Sequence, residues 1–290
     1  MSLILLAQVV SGGLVMGGLY ALVAIGLSLV YGVTRMLNFA HGTFVVLAGI
    51  IGSILFASYG LHPIVSIPVV AAAFFLFGLG YYRVLLQPIQ KYDRFKVTIG
   101  TVLVTIGTFI VVEDLAATAV GPIQRNILLP STPVIASGGI VTTLQLYVLL
   151  GIASATILLH VFLKYSWLGR AIRALTQDQF AATAYGVQSE LIRSVTFAFG
   201  LALAAISGIL YAMTFPVDLH AGFLLTVKAF TVIAIGGIGN LSGTLIASIA
   251  LGVAEALVAF YWSSEWAPAV SMVVLLAVLI IAPRTAVGDH

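Results

Sequence analysis

Charged residues are missing from seven long stretches of this chain. No Asp, Glu, Lys or Arg occurs from Met1 to Thr34, Met36 to Tyr82, Val97 to Val112, Asn126 to Leu163, Ser194 to Val217, Ala229 to Ala254 or Trp266 to Pro283. A helix that crosses roughly 30 Å of hydrocarbon at about 1.5 Å per residue needs around 20 apolar residues. Five of the seven gaps are longer than that. The 12 Lys/Arg and 9 Asp/Glu together make up only 7% of the residues, while 61% are hydrophobic. A soluble domain carries about 25% charged residues. This inventory cannot clothe a water-facing surface, which excludes a soluble enzyme, a disordered chain and a nucleic-acid binder. The runs lack the period-two alternation of barrel strands, and helices satisfy their own backbone groups in lipid. The expected fold is therefore all-α and integral to a membrane, a polytopic helical bundle with the lipid bilayer as its surroundings.

Nine hydrophobic segments can be marked: Leu3–Tyr31, Thr43–Tyr59, Pro63–Leu86, Val97–Val120, Leu144–Leu163, Val195–Phe215, Leu225–Gly239, Gly243–Tyr261 and Pro268–Ala282. The seventh has only 15 residues and ends in glycines, so it reads as a short or broken helix; eight or nine spans result. The first is long enough to tilt, or to kink at Gly12-Gly13 or Gly17-Gly18. Its flank carries no Lys or Arg, so it reads as a retained span rather than a cleaved signal. A single transmembrane domain over 1–290 is expected, with one long cytoplasmic loop at 164–193.

The basic residues orient the bundle. Arg83, Lys91, Arg94 and Lys96 surround one loop, and Lys164, Arg170, Arg173 and Arg193 another; Arg35 follows the first span and Arg284 the last. With nine crossings and the N-terminus outside, all ten face the cytoplasm, and so does the C-terminus. The opposite side keeps only Arg125, in the Gly121–Thr143 loop. Such a bias is the positive-inside signature.

Several chemistries lack their residues. Zero cysteines exclude disulfides, thiolate metal sites and cysteine nucleophiles. None of the four lysines follows a glycine, so the Gly-Lys-Ser/Thr loop that cradles nucleotide phosphates is missing. The five histidines show no metal-ligand spacing, and no Gly-x-Ser-x-Gly elbow occurs. No catalytic residue, metal site or cofactor is assigned to the chain itself. The glycines at Gly13–Gly17 and Gly239–Gly243 have small-xxx-small spacing, which allows close helix packing or local unwinding.

The 164–193 loop is more than a connector. Thr176 with Gln179 fits a helix cap. Phe180, Ala181, Ala184 and Tyr185 then form an apolar stripe, and Gly186 stands where a helix stop is expected. Such a stripe fits a groove on a partner protein or the membrane interface; its spacing does not choose between them.

Phe180-Ala-Ala-x-x-x-Gly186 resembles the coupling motif of permeases in ATP-binding-cassette (ABC) importers, with Phe where that motif has Glu. The resemblance extends along nearly the whole chain. Gly18-Leu-Tyr-Ala-Leu, Gly26-Leu-Ser-Leu-Val-Tyr-Gly, Leu37-Asn-Phe-Ala-His-Gly42, Trp167-Leu-Gly-Arg-Ala-Ile-Arg-Ala and Lys228-Ala-Phe…Ile235-Gly-Gly-Ile-Gly-Asn are similar to LivH-type permeases. It implies a membrane subunit of an importer for branched-chain amino acids or a related solute, in a bacterial inner membrane. The implied partners are a LivM-like second permease, two ATPase subunits that carry ATP and Mg, and a periplasmic binding protein. Gln177, Asp178, Phe180, Ala181, Ala182 and Gly186 are then the coupling residues.

Candidates for the solute path are buried polar groups, because an ionisable side chain at mid-membrane is costly and usually faces protein or water. Asn38 and His41 follow the first span in a Gly-flanked turn; they line a path or make structural hydrogen bonds. Glu255, twelve residues into its segment, is a functional carboxylate or is paired with backbone or a partner subunit. Lys228, three residues into its segment, is placed to snorkel outward. Glu113 and Asp114 are adjacent and point in different directions, which suits a rim better than an acid dyad. Asn240 opens the eighth segment, and the sequences around His41-Gly-Thr and Ser242-Gly-Thr echo each other, a pattern that often marks a site near broken helices. A stand-alone secondary transporter or channel is the rival class; its transport would need no ATP.

Overall fold

The computed structural model describes residues 3–121, 123–136 and 139–281. Eleven helices follow one another: α1 (Leu3–Thr34), α2 (His41–Tyr59), α3 (Pro63–Tyr81), α4 (Arg94–Val120), α5 (Thr143–Tyr165), α6 (Trp167–Gln177), α7 (Gln179–Ala184), α8 (Ser189–Thr214), α9 (Ala221–Gly236), α10 (Leu241–Tyr261) and α11 (Ala267–Ile281). A π-helical turn, Tyr82–Leu86, and a 3₁₀ turn, Gln87–Lys91, extend α3. Among the described residues, eight helices are long and apolar enough to cross a bilayer, and α9 is a shorter apolar helix. The segmentation therefore holds, including the short seventh segment. Arg284, placed after the last span, lies outside the described residues.

Two connections carry structure of their own. Within the 121–143 loop, β1 (Pro133–Ala136) pairs antiparallel with β2 (Gly139–Thr142). The run is too short and too irregular in polarity to register against the long apolar segments around it. The 164–193 stretch contains a short helix where one was expected, α7, preceded by a second helix, α6, and α8 begins within it at Ser189.

The centre of the bundle is α1, most of whose length is buried, with α8, α9 and α10 packed around it. Glycine makes those contacts close. A Cβ on Gly13 would come within 2.8 Å of Val253 Cα, one on Gly17 within 2.7 Å of Ile249 Cα, and one on Gly252 within 2.3 Å of Gly17 N. The Gly13–Gly17 spacing thus packs α1 on α10, as expected of small residues in lipid, where backbones associate by close contact. The Gly239–Gly243 expectation changes: Gly243 packs on Gly236, whose oxygen would lie 2.1 Å from its added Cβ, while Gly239 sits at φ 75° in the α9–α10 turn.

The ends of α1, α3 and α5, the start of α8, and α6 share one end of the bundle. Arg35 donates to the Thr176 carbonyl at 3.3 Å. Arg193 hydrogen-bonds the Gln90 side-chain oxygen, and Gln90 donates to the Tyr82 hydroxyl at 2.6 Å. The basic residues around these elements are thereby gathered at one end; the β-hairpin lies against α1.

Candidate functional site

Two helices begin inside the bundle rather than at its ends. After Thr34 the chain doubles back through 35–40, and α2 starts at His41 with its ring against the later half of α1. A Cβ on Gly26 would lie 3.2 Å from His41 Nε2, and Gly26 is eight residues, about 12 Å of helix, before the end of α1. From the other side, residues 215–220 run inward after α8. The backbone of Val217 pairs with that of Arg125, and Val217 lies beside Gly49. Six residues nearer the start of α2, Thr43 lies beside Gly222 at the start of α9. The N-termini of α2 and α9 therefore meet. Gly42 N–H donates to Thr226 Oγ1 at 2.8 Å, and that hydroxyl donates to the Phe39 carbonyl at 3.1 Å. Paired broken helices of this kind place helix ends and polar groups in the interior of a transporter bundle.

The crossing requires glycine on both sides. A Cβ on Gly42 would come within 2.1 Å of the Gly222 oxygen, which is backbone and cannot step aside. Gly42→Val is expected to cost about 3 kcal/mol or more, the upper range of overpacking. Its melting temperature in detergent should fall well below that of Gly12→Val, whose Cβ meets nothing within 4 Å.

Asn38 and His41 both belong to this break. Asn38 Oδ1 accepts from Ala40 N–H at 3.1 Å, and its Nδ2 is buried without a partner among the described residues. His41 is fully buried, its ring against Val23 and Gly26 of α1. Asn240 caps α10 by accepting from Gly243 N–H at 3.1 Å, in an exposed turn.

Glu255 and Lys228 lie together. Lys228 Nζ is 2.8 Å from Glu255 Oε2 and 2.7 Å from Tyr20 Oη; the Tyr20 hydroxyl donates to the same carboxylate oxygen at 2.8 Å. The ammonium also sits 4.7 Å from the Tyr20 ring centroid. This overturns the snorkelling expectation for Lys228: its side chain is 8% exposed, and that of Glu255 1%. Lys228 belongs to the inner face of α9, so its head meets α1 and α10 instead of either end of the bundle. Glu255 is paired within the chain, an arrangement that the distance of 27 residues hid. The two residues whose pairing was missed are the only oppositely charged residues deep in the seventh and eighth segments, which was the available signal.

A second polar cluster surrounds residues 215–220. His220 Nδ1 meets Glu113 Oε1. Gln124 donates to Asp218 Oδ2 at 3.3 Å, and Asp218 Oδ1 accepts from His220 N–H at 2.9 Å. Arg125 donates to the Val120 carbonyl at 3.2 Å. The rings of Phe109 and Phe223 lie 5.9 Å apart beside this cluster. Glu113 turns inward to α9 while Asp114 is exposed, so the adjacent carboxylates do diverge.

The helices α6 and α7 form a projection whose outer surface carries Arg170, Arg173 and Gln177 together with the exposed aromatic Trp167. Ser166 caps α6 through Gly169 N–H, and α6 buries Ala171, Ile172 and Leu175. Asp178, not Thr176, caps α7, accepting from Ala181 N–H at 3.0 Å; Thr176 is still inside α6, its hydroxyl bonded to the Ile172 carbonyl. Gly186 ends α7 at φ 85°, donating to the Thr183 carbonyl, while Val187 donates to that of Ala182. This double closure is the left-handed C-cap for which glycine is favoured. The expected stripe lies on the outer side: Phe180 and Tyr185 are 86% and 91% exposed, Ala184 is exposed and Ala181 partly so, whereas Ala182, off the stripe, is buried in a cluster with Val33 of α1 and Ile192 of α8. Gln177 lies on the exposed side.

A bundle of membrane-length helices, interrupted twice near its centre and carrying a rooted helical projection at its basic end, is the architecture of a multi-pass transport permease. The sequence pattern of the family described as "Branched-chain amino acid transport system / permease component" matches residues 9–283, and the chain belongs to that family. It is 30% identical over 301 residues to the high-affinity branched-chain amino acid transport system permease protein LivH of Escherichia coli, covering 97% of this chain and 95% of that one. It is 31% identical to BraD of Pseudomonas aeruginosa, with the same coverage, and 25% identical to a probable LivH of Methanocaldococcus jannaschii. A solved structure of PsaBC from Streptococcus pneumoniae in complex with Fab shares the fold, with a TM-score of 0.52 and 13% identity over 94% of this chain and 92% of that one.

Proposed function

We propose that this chain is the LivH-type permease subunit of an ATP-driven importer for branched-chain amino acids in a bacterial inner membrane. It works with a LivM-like permease, two ATP-binding-cassette subunits and a periplasmic binding protein. The observation that carries the reading is α7: two aromatic side chains, almost wholly exposed, stand on a helix whose inner side is packed into α1 and α8. A surface helix that buries one face in the bundle and offers aromatic anchors on the other suits a groove on a soluble partner. The basic end then faces the cytoplasm, as the positive-inside rule asks. ATP and Mg are bound by the partner ATPases, not by this chain, and no catalytic residue or metal is assigned to it.

In this reading, closure of the ATPase dimer pushes on α7. The displacement passes through the Val33–Ile172–Leu175–Ala182–Ile192 cluster into α1 and α8. Both carry the broken helices: His41 lies against Gly26 of α1, and Gly208 of α8 against Val45. A tilt of α1 and α8 therefore changes the interior where the starts of α2 and α9 meet, which is how one motion at the cytoplasmic end alternates access to the solute.

The test is uptake of labelled L-leucine into proteoliposomes that hold the whole complex, with binding protein outside. Uptake that requires ATP and the co-purified ATPases is expected. Uptake by the isolated chain without ATP would overturn the reading in favour of a secondary transporter or channel.

A further inference from the structure

A cleft of about 360 Å³ opens at the basic end of the bundle and shares no lining residue with the meeting point of α2 and α9. Helices α5 and α10 both pack on α1, and the cleft lies between them, next to α6. Ser28 and Leu29 of α1 form its floor, with Leu163 and Leu241 as side walls. A smaller cavity shares these four residues and adds Ile25 and Thr244, which lie about one turn further from the basic end on α1 and α10. The polar groups of this inner part are already used. Ser28 Oγ accepts from Gly239 N–H at 2.9 Å, and Thr244 Oγ1 donates to the Asn240 carbonyl at 2.8 Å. What remains is an apolar wall. The mouth differs. His160 and Lys164, one turn apart on α5, share a face of that helix, and Arg173 of α6 lies beside them. Arg173 hydrogen-bonds the Leu163 carbonyl and reaches the Lys164 carbonyl at 3.5 Å. It thereby covers the negative end of the α5 dipole and is held at the mouth, with further N–H donors left for an anion. His160, Lys164 and Arg173 are all exposed, and no Asp or Glu lines the cleft among the described residues.

We propose that this cleft is a binding site for one anionic phospholipid of the leaflet at the basic end. The phosphate meets Lys164 and Arg173 at the mouth, and an acyl chain runs inward over Leu29, Leu241 and Ile25. The lining asks for an amphiphile: cations without acids at the mouth, apolar wall behind. A small free anion would leave the wall uncovered, and a neutral solute would leave the cations uncompensated. The cleft is also where a lipid can enter. Ile157, Leu158 and Val161, on α5 around the mouth, are exposed apolar side chains on a membrane-length helix. Basic pockets between transmembrane helices hold acidic head groups in this way. A lipid seated against Arg173 braces α6, from which α7 extends. This site goes beyond the importer reading and does not depend on it.

The experiment uses the complete complex, stripped of lipid in a neutral detergent, and counts bound lipid by native mass spectrometry as phosphatidylglycerol or phosphatidylcholine is added. Phosphatidylglycerol is expected to bind at least about fivefold more tightly. K164Q and R173Q should each weaken its binding about fivefold, which is ~1 kcal/mol for a basic residue at an anionic head group. K91Q removes an exposed basic residue at the same end but outside the cleft and should leave binding unchanged. Inorganic phosphate should not displace the lipid. Equal binding of the two lipids, or K164Q indistinguishable from K91Q, would overturn the site. Displacement by inorganic phosphate would overturn it too, because the mouth would then take a free anion without a chain. R173Q also removes the contact of α6 with the end of α5, so if that variant fails to assemble, K164Q against K91Q decides the matter.

Discussion

Lys228→Met is expected to destabilise the bundle by about 3–5 kcal/mol, the cost of removing one partner from a buried ion pair. The mechanism is the carboxylate left behind. Glu255 is 1% exposed, and its Oε1 already has no partner. Without Lys228 its Oε2 keeps only the Tyr20 hydroxyl. Glu255→Gln alone should cost less, because a neutral amide can still accept from Lys228 and Tyr20, and the ammonium keeps its contact with the Tyr20 ring. The informative variant is Lys228→Met with Glu255→Gln. Replacing both charges removes the desolvation penalty together with the attraction, and such replacements are often close to neutral. Thermal melts of the four proteins of this double-mutant cycle in the same detergent should show the double variant more stable than Lys228→Met. If the two single effects simply add, the pair is not coupled, and the joint between α1, α9 and α10 must rest on apolar packing alone.

The same triad shows which properties were legible in the sequence. Span number, the short α9 and the basic end follow from where charges are absent, because lipid forbids exposed backbone and tolerates few ions; those rules act on each segment separately. The pairing of Lys228 with Glu255 and Tyr20 is a fact about three helices at once, and Tyr20 is 235 residues from Glu255. Periodicity carries no information at that distance. Likewise Asn38 and His41 were marked as an unusual turn after α1, but only the fold shows that residues 35–40 and 215–220 enter from opposite sides so that two helix starts meet. The tip of α7 was readable because Gly186 is a local device: its positive φ is a property of one residue. The cap was not, since Thr176 and Asp178 both satisfy the local pattern, and the packing of α6 against α1 and α8 decided between them. Arg125 drew attention only as the lone basic residue outside the basic clusters. Its backbone pairing with Val217 involves a residue from a distant connection.

Phe180→Ala combined with Tyr185→Ala is expected to reduce ATP-driven uptake to below about a tenth of wild type while leaving the melting temperature of the isolated chain nearly unchanged. The second half follows from exposure. Side chains at 86% and 91% exposure hold nothing in the bundle, and surface substitutions are usually within about 0.5 kcal/mol. The first half follows from the anchor role. Truncating an aromatic hot spot costs about 2 kcal/mol or more, which is roughly a thirtyfold loss of affinity for one anchor. Gly186→Leu acts differently and separates docking from transmission. A side chain at φ 85° is strained by about 1–2 kcal/mol, and relief of that strain unwinds the closure made by Gly186 and Val187 on α7. The anchors would still meet the ATPase, but their push would no longer reach Ala182 and the cluster on α1 and α8. Pull-down of the ATPases should therefore persist in Gly186→Leu and weaken in the double alanine variant, while uptake per ATP hydrolysed falls in the former. Normal assembly and uptake in the double alanine variant would show that α7 is not the docking element. The exposed aromatics would then belong at the membrane interface, the other setting that their spacing allows.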